Sequence, residues 1–162
     1  MDPARRHKTD IRSRESKRTH DRTNSEADIK ALEARYVAAF NHRDVDAIMR
    51  CYAAEILAFD VIPPRQYAGA AAYRKAWENF IGAVETATLE MSDLSVTIEG
   101  SVAFGHNIQH VVAKDHQGQN MEFTLRTTDG YRKIGGRWLI VHEHFSVPVD
   151  LATGKPDLMS TP

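Results

Sequence analysis

The sequence predicts an α+β domain, because three helical segments are followed by a run of strands. Apolar residues recur at helical spacing in three stretches between residues 25 and 84. From residue 89 onward, segments with strand-like composition are separated by turns that contain glycine. A chain of 162 residues suits one such domain with a single core.

The first helix is predicted to begin at Ser25, a candidate N-cap with Asp28 three residues later in the capping-box position. The apolar residues that follow at helical spacing are Ile29, Leu32, Tyr36, Val37 and Phe40. The motif NHRD at residues 41–44 interrupts this pattern. A short second helix follows, with apolar residues at Val45, Ile48, Met49 and Tyr52.

The remaining elements are a third helix and a series of strands. The motif ILAFDVI at residues 56–62 has the composition of a strand and is ended by Pro63 and Pro64. The third helix is predicted over residues 70–84. Four further strands are predicted at residues 89–99, 102–114, 121–134 and 137–147. Gly135 and Gly136 mark the last hairpin turn rather than a phosphate-binding loop.

Residues 1–23 carry almost no apolar side chains. They hold eight Lys or Arg and four Asp or Glu, so the segment is about +4 and the remainder about −5 within the total of −1. A segment this polar does not offset its ordering entropy by burial. We therefore predict a disordered tail over 1–23, a domain over 24–150 and a loose extension over 151–162. A basic arm for nucleic acid is less favoured, because acids are interleaved and aromatic residues are absent.

The sequence also bears on location and on thiol chemistry. Residues 1–23 lack the apolar segment of a signal peptide, and no run approaches the ~20 apolar residues of a membrane span. Cys51 is the only cysteine, so an intramolecular disulfide is impossible and a cytoplasmic setting is favoured. Its position after Ile48 and Met49 in a helical pattern indicates a buried structural thiol rather than a nucleophile.

Two stretches together resemble a known superfamily. The segment RYVAAFNHRDVDAIMRCYAAEILAFD at residues 35–60 resembles the opening of the ketosteroid isomerase and nuclear transport factor 2-like (NTF2-like) superfamily. The segment YRKIGGRWLIVHEHFSVP at residues 131–148 resembles the ending of its SnoaL-like branch. The resemblance implies a cone, in which a strongly curved mixed or antiparallel sheet packs on three N-terminal helices and encloses an apolar pocket. It also implies a homodimer that pairs through the outer face of the sheet.

The resemblance assigns two catalytic residues. Asp60 matches the general base that moves a proton next to a carbonyl in ketosteroid isomerase, and Tyr36 matches the phenol that donates to the developing oxyanion. The apolar neighbours Phe59 and Val61 would raise the pKa of Asp60 towards that of a useful base. Two plainer interpretations stay open: Asp60 caps the turn before Pro63, and Tyr36 is a packed core residue.

The resemblance also implies which strand residues face the pocket. These are Phe104, His106, Ile108 and His110, then Thr124, Arg126 and Thr128, and finally Val141, Glu143 and Phe145. On this assignment His142 and His144 lie on the outer face with Trp138. The position of the second oxyanion donor falls on Thr128, and the adjacent Asp129 faces away unless a bulge shifts the register.

Polar residues on this wall are assigned to catalysis and binding. His106 is expected to act as an acid or a donor beside the base. Arg126 either pairs with Glu143 as scaffold or binds a carboxylate or enolate oxygen of the ligand. The predicted ligand-binding residues are Arg126, Thr128, Glu143, Phe145, His110 and, at the rim, Tyr67. No metal site is expected, because His106 and His110 would lie roughly 13 Å apart along a strand.

These observations predict a protein that binds a small molecule without a cofactor. The predicted reaction is isomerisation or cyclisation of a small apolar carbonyl compound, with an Asp as general base, and dehydration or hydrolysis are related alternatives. The competing hypothesis is a non-catalytic ligand-binding or dimeric association module, so enzymatic activity stays an open question at this point. The expected partners are a small-molecule ligand and a second copy of the chain. Membrane and nucleic-acid partners are not expected.

Overall fold

Three helices pack on one open, six-stranded mixed sheet. The computed structural model describes residues 3–160, with side chains from residue 21 onward. The helices are α1 (Pro3–Asn41), α2 (Val45–Met49) and α3 (Ala70–Ala83). The strands are β1 (Tyr52–Phe59), β2 (Tyr67–Ala68), β3 (Val84–Glu99), β4 (Val102–Asp115), β5 (Asn120–Ile134) and β6 (Arg137–Ser146). The predicted α+β class is confirmed.

The strand order is β2-β1-β6-β5-β4-β3, so the last strand in sequence lies in the middle of the sheet. β1 and β6 are parallel, and all other neighbouring strands are antiparallel. The β3–β4 ladder shifts register between Ser92 and Ser95, where Asp93 has a φ of 56°. Such a bulge bends its strand, which lets this long ladder curve around the helices.

The first helix begins earlier than predicted. α1 starts at Pro3, so Ser25 is not an N-cap but a buried residue inside the helix. Residues 3–23 therefore lie in a helix, whereas the sequence predicts a disordered tail over residues 1–23, and residues 1 and 2 lie outside the described part of the chain. Residues 21–24 are exposed, and burial begins at Ser25. The apolar pattern therefore predicted the residue at which α1 begins to pack on the domain. The helix itself extends further towards the N-terminus, because Lys, Arg and Glu have sufficient helix propensity.

The NHRD turn joins α1 to the sheet. The side-chain amide of Asn41 donates to the Leu89 carbonyl (3.2 Å) and accepts from the Leu89 N–H (2.7 Å). Arg43 adopts a φ of 55°, and its guanidinium donates to the carbonyl oxygens of Val84 and Glu85. Asp44 then caps α2 by accepting from a backbone N–H. The predicted break in the helical pattern is therefore a turn that holds α1 against β3.

Cys51 is a structural thiol, as predicted. Its side chain is buried, and its Sγ donates to the Ala47 carbonyl at 3.6 Å. Burial raises the pKa of the thiol to about 11, so it stays protonated near neutral pH. The extension after β6 also has order, because Val149 and Pro156 form an isolated bridge and Thr124 donates to the Leu158 carbonyl at 2.8 Å. Residues 161–162 lie outside the described part of the chain.

The inner faces of β4 and β5 are opposite to the prediction. The residues of β4 that face the helices are Ala103, Gly105, Asn107, Gln109, Val111 and Ala113. Their neighbours on β5 are Tyr131, Asp129, Thr127, Leu125, Phe123 and Met121. The residues predicted to face inward lie on the outer face: Phe104, His106, Ile108, His110, Thr124, Arg126 and Thr128. The prediction is wrong because the positions carried over from the resemblance are one residue out of register on β4 and β5, and a one-residue shift moves every side chain to the opposite face.

A β-bulge changes which residues of β6 face inward. In the β5–β6 ladder Gly130 pairs with His142 and Tyr131 pairs with Ile140, which leaves Val141 as an extra residue. The buried residues on both sides of this bulge are Trp138, Ile140, Glu143 and Phe145. The inward placement of Glu143 and Phe145 is therefore confirmed. The placements of Val141 and Trp138 are wrong, because strict alternation does not continue across a bulge.

Candidate functional site

An apolar cavity of about 260 Å³ lies between α1, α3 and the inner face of the sheet. Seven of its lining residues are aromatic: Tyr36, Phe40, Tyr73, Trp77, Phe80, Phe123 and Phe145. These rings meet mostly edge to face, for example Tyr36 with Trp77 and Phe40 with Trp77, each at 6.0 Å between centroids. The polar side chains of the wall are Asp60 and Gln109, together with the two tyrosines and the indole. Among the described residues that line the cavity, none is Lys, Arg or His.

Asp60 follows the end of β1 and lines the cavity. Its Oδ1 accepts from the backbone N–H of Val61 (2.6 Å) and, more weakly, of Ile62 (3.5 Å). Burial raises the pKa of this carboxyl, and the two backbone hydrogen bonds oppose that rise. The carboxyl therefore caps the turn, as the plainer interpretation predicts, and it also forms part of the cavity wall.

Tyr36 is a buried phenol in the cavity wall. Its hydroxyl interacts with the hydroxyl of Tyr52. Burial raises its pKa well above the usual value, and the negative charges of Glu143, Asp129 and Glu33 raise it further. The group therefore remains a neutral phenol, able to donate or accept one hydrogen bond without carrying charge.

Glu143 lies directly behind the aromatic wall. The Tyr52 hydroxyl is 3.0 and 2.9 Å from its two carboxyl oxygens, and the Tyr73 hydroxyl is 2.5 Å from Oε2. Glu143 is 1% exposed and has no basic partner among the described residues. Burial raises its pKa to about 8, although the two phenol hydrogen bonds lower it. Glu143 is therefore not paired with Arg126, which is exposed on the outer face.

A second buried acidic cluster was missed by the sequence analysis. Asp129 accepts from the Asn107 amide (3.2 Å) and lies 3.5 Å from the Tyr131 hydroxyl. Burial and the charges of Glu143 and Glu33 raise the pKa of Asp129 well above its usual value. Glu33 on α1 is 2% exposed, and burial raises its pKa to about 7. Glu33 lies on the same face of α1 as the buried core residues Ile29 and Tyr36. This helical spacing could have predicted that Glu33 is buried.

The predicted polar wall is only partly present. Asp60, Tyr36 and Phe145 line the cavity, and Glu143 is buried behind it. The remaining candidates lie elsewhere: His106, Arg126 and Thr128 are exposed on the outer face, His110 is partly exposed there, and Tyr67 lies in another groove. The inward position that the resemblance gave to Thr128 is occupied by Asp129.

Local contacts explain where the displaced candidates sit. The His110 ring is 3.1 Å from the Thr124 hydroxyl and 3.2 Å from Glu122, so it belongs to a surface network. Tyr67 packs on the ring of Tyr73 at 5.5 Å, and its hydroxyl donates to a backbone carbonyl at the rim. His142 lies on the outer face, as predicted, with its ring nitrogen 2.8 Å from a β1 carbonyl.

Two lining residues carry donors that the sequence analysis did not select. The side-chain amide nitrogen of Gln109 and the indole nitrogen of Trp77 have no hydrogen-bond partner among the described residues. Within the same part of the chain, no group of three or more His, Cys, Asp or Glu is placed to hold a metal ion. No described helix has both the length and the apolar content needed to cross a membrane.

A family model for the SnoaL-like domain matches residues 29–150. The chain belongs to the SnoaL-like family. An NTF2-like protein of unknown function from Pseudomonas putida KT2440 is 34% identical, with a TM-score of 0.79 over 86% of this chain and 98% of that one. The resemblance to the SnoaL-like branch of the NTF2-like superfamily is therefore confirmed.

More distant structures share the fold of this SnoaL-like domain. A proposed scytalone dehydratase from Novosphingobium aromaticivorans DSM 12444 is 13% identical, with a TM-score of 0.74 over 81% of this chain and 89% of that one. An NTF2-like superfamily protein from Salmonella enterica is 20% identical, with a TM-score of 0.73 over 82% and 97% of the two chains. No curated protein matches the sequence. At these identities the likeness concerns the fold alone.

Proposed function

We propose that this SnoaL-like protein binds a small, uncharged, largely apolar carbonyl compound in the cavity and acts on it with Asp60 as general base. The observation that carries the proposal is the position of Asp60, the one carboxyl among the described residues that line the cavity, in a wall that is otherwise uncharged and mostly aromatic or aliphatic. A carboxyl with a raised pKa in such a setting is suited to remove a proton next to a carbonyl. The reaction classes that fit are isomerisation, cyclisation and dehydration, and no cofactor is needed for them.

The wall supports an uncharged ligand. No lining cation among the described residues would pair with a carboxylate or phosphate, and most of the wall is apolar. Negative charge that develops on a carbonyl oxygen would be met by neutral donors, for which Tyr36, Gln109 and Trp77 are the candidates. The volume of about 260 Å³ lies just below the ~300–1,000 Å³ of pockets for drug-sized ligands, which favours a compound of one or two rings.

The distant structural relatives agree with this class without deciding it. Two of them are proposed dehydratases, from Novosphingobium aromaticivorans and Streptomyces avermitilis. Dehydration next to a carbonyl begins with the same proton removal as isomerisation and differs in the later loss of a hydroxyl group. The common step is the one assigned to Asp60 here.

The second candidate function is dimeric association. The outer face of β4 exposes Val102 (56%), Phe104 (53%) and Val112 (42%), which is more apolar surface than a solvated sheet face needs. We propose that two copies pair through this face, so that the cavities remain open. A cytoplasmic location is proposed as well, on the basis of the single buried cysteine.

The test begins with ligand identification. Native mass spectrometry of the purified protein, followed by denaturing extraction, is expected to release a small neutral carbonyl compound. Asp60→Asn is then expected to lower the rate of hydrogen–deuterium exchange next to that carbonyl by about 10²–10⁴-fold, the usual contribution of a general base.

Asp28→Asn is the control, because it removes an exposed carboxyl of α1 outside the cavity. Unchanged exchange in Asp60→Asn, with ligand binding retained, would reject Asp60 as the base. Ligand binding without any exchange in the wild type would favour the association module.

A further inference from the structure

Gln109 and Trp77 contribute two N–H donors that no described residue satisfies. Gln109 on β4 is 1% exposed and Trp77 on α3 is 8% exposed, and both line the same cavity. A buried donor without an acceptor carries an uncompensated desolvation penalty, and most such groups in proteins are paired. Two of the seven unpartnered buried side-chain atoms of the described residues belong to residues that line this cavity, where an acceptor atom on a ligand would satisfy them.

The side chains directly beside these donors are mostly apolar or aromatic, whereas the next inward pair of the β4–β5 ladder, Asn107 and Thr127, carries oxygen atoms that also lack a partner among the described residues. The neighbours of Gln109 across the two ladders are Met91 on β3 and Leu125 on β5, and neither side chain has an oxygen. The Trp77 ring is surrounded by other aromatic rings: Tyr36, Phe40, Tyr73 and Phe80. An amide in an apolar position of this kind adds nothing to core packing that a Met or Leu would not supply.

The strand order places Gln109 on the wall opposite Asp60. β1 and β4 are separated by β6 and β5, which is three strand spacings or about 14 Å along the sheet. The registers put Phe59 level with His144, Thr128 and His106, so the level of Asp60 lies two residues, or about 7 Å along the strands, from that of Gln109. Because the sheet curves around the helices, the direct path through the cavity is shorter than the path along the sheet.

We propose that Gln109 is the specificity-determining residue of this cavity: with Trp77 it binds an uncharged acceptor oxygen, a ketone, ester or lactone carbonyl, while Asp60 faces the other end of the ligand. The inference rests on the proposed function and names the ligand class of the same site. A hydrocarbon of the same shape leaves both N–H groups unpaired and binds more weakly. A carboxylate meets Asp60, and no cation among the described lining residues offsets its charge.

The test compares three probes that share a fused-ring skeleton. They are the ketone α-tetralone, the hydrocarbon tetralin and the carboxylate α-naphthoate, measured by calorimetry on the full chain. Wild type is expected to bind the ketone about tenfold or more tightly than the hydrocarbon, and to bind the carboxylate least. Gln109→Met, which keeps the length of the side chain without its N–H, is expected to abolish the preference for the ketone. Trp77→Phe is expected to reduce it.

Leu125→Met is the matched control. Leu125 is the cross-strand neighbour of Gln109 and lines the cavity, so this variant changes packing at the same place without removing a donor. It is expected to keep the ketone preference. A second readout needs no ligand: Gln109→Met is expected to raise the melting temperature of the free protein, because it removes an unpaired buried donor.

Each outcome decides the inference. The inference is overturned if wild type binds the ketone and the hydrocarbon equally, prefers the carboxylate, or binds none of the probes. It is also overturned if Gln109→Met prefers the ketone as strongly as wild type does. Deuterium exchange next to the tetralone carbonyl separates it from the proposed function. Selective ketone binding without exchange would leave Gln109 in its role and reject Asp60 as a base. Deuterium exchange that depends on Asp60 but is unchanged in Gln109→Met would support Asp60 as the base and reject the role assigned to Gln109.

Discussion

The buried carboxyls are expected to make the folded protein less stable as the pH rises. The pKa of Glu143 is raised from 4.5 to about 8, and that of Glu33 from 4.5 to about 7, in each case chiefly by burial. In the unfolded chain both groups return to ordinary values. Between about pH 4.5 and pH 8 the folded state therefore holds protons that the unfolded state has lost, and the free energy of unfolding falls with pH over this range.

The magnitude follows from the two pKa values. At about 1.4 kcal/mol for each pH interval of one, Glu143 accounts for a loss of about 5 kcal/mol by pH 8. Glu33 accounts for about 3 kcal/mol by pH 7 on the same reasoning. Water entry around an ionised carboxylate relaxes part of this cost. We therefore expect a measured loss of at least about 3 kcal/mol, a large share of the ~5–15 kcal/mol that stabilises most domains.

Urea unfolding at about pH 5.5 and about pH 9 measures this loss directly. Glu143→Gln retains the shape of the side chain without ionising, so it should remove the part of the pH dependence due to Glu143, about 3 kcal/mol between pH 5.5 and pH 8, and leave the parts due to Glu33 and Asp129. Glu90→Gln, at an exposed position on β3, should leave it unchanged. Stability that is constant or higher at the alkaline pH would refute the reasoning. So would a Glu143→Gln variant that keeps the whole slope of the wild type.

Two further predictions concern close packing and assembly. A Cβ on Gly105 would lie 3.0 Å from the Tyr131 hydroxyl and 3.1 Å from the Ser95 carbonyl, so Gly105→Ala should cost about 1–3 kcal/mol in urea unfolding. In Gly82→Ala no atom lies within 4 Å of the added Cβ, so the free energy of unfolding should instead rise by up to about 1 kcal/mol. Equal effects of the two substitutions would contradict the close packing at Gly105. Phe104→Glu should convert a dimer into folded monomers in sedimentation velocity, whereas Gln117→Glu in the β4–β5 turn should not. A wild-type monomer would reject the proposed pairing.

The sequence located the elements well because helical spacing and turn residues are local signals. It placed the three helices and five of the six strands in chain order, but α1, β1 and β3 begin earlier than predicted, at Pro3, Tyr52 and Val84, and the two-residue β2 was not predicted. It failed where the signal is not local. Val102 and Phe104 look like core residues, whereas Asn107 and Gln109 look like surface residues, and the fold reverses both assignments. The polarity pattern misleads here because the interior of this cone is partly polar.

The site was predicted from a resemblance rather than from physical patterns. Asp60 and Tyr36, which line the cavity, were selected because they lie in the segment of residues 35–60 that resembles the opening of the superfamily. Asp129 was rejected because strict alternation on β5 was counted from the wrong face. The bulge at Val141 is a one-residue irregularity with no distinctive composition, so no rule of alternation predicts it.

The central position of β6 has a consequence for biosynthesis. The parallel neighbour of β1 is synthesised much later than β1 itself, because Leu57 lies beside His142, 85 residues further along the chain. While the chain is being made, β1 has only the two-residue β2 at one edge and the helices on one face. When β6 pairs with β1 and β5, it completes the sheet. The same step places Phe145 in the cavity wall and Glu143 beside Tyr52 and Tyr73. A nascent chain without this segment has neither a complete sheet nor a complete cavity, so folding and acquisition of the site are a single late step.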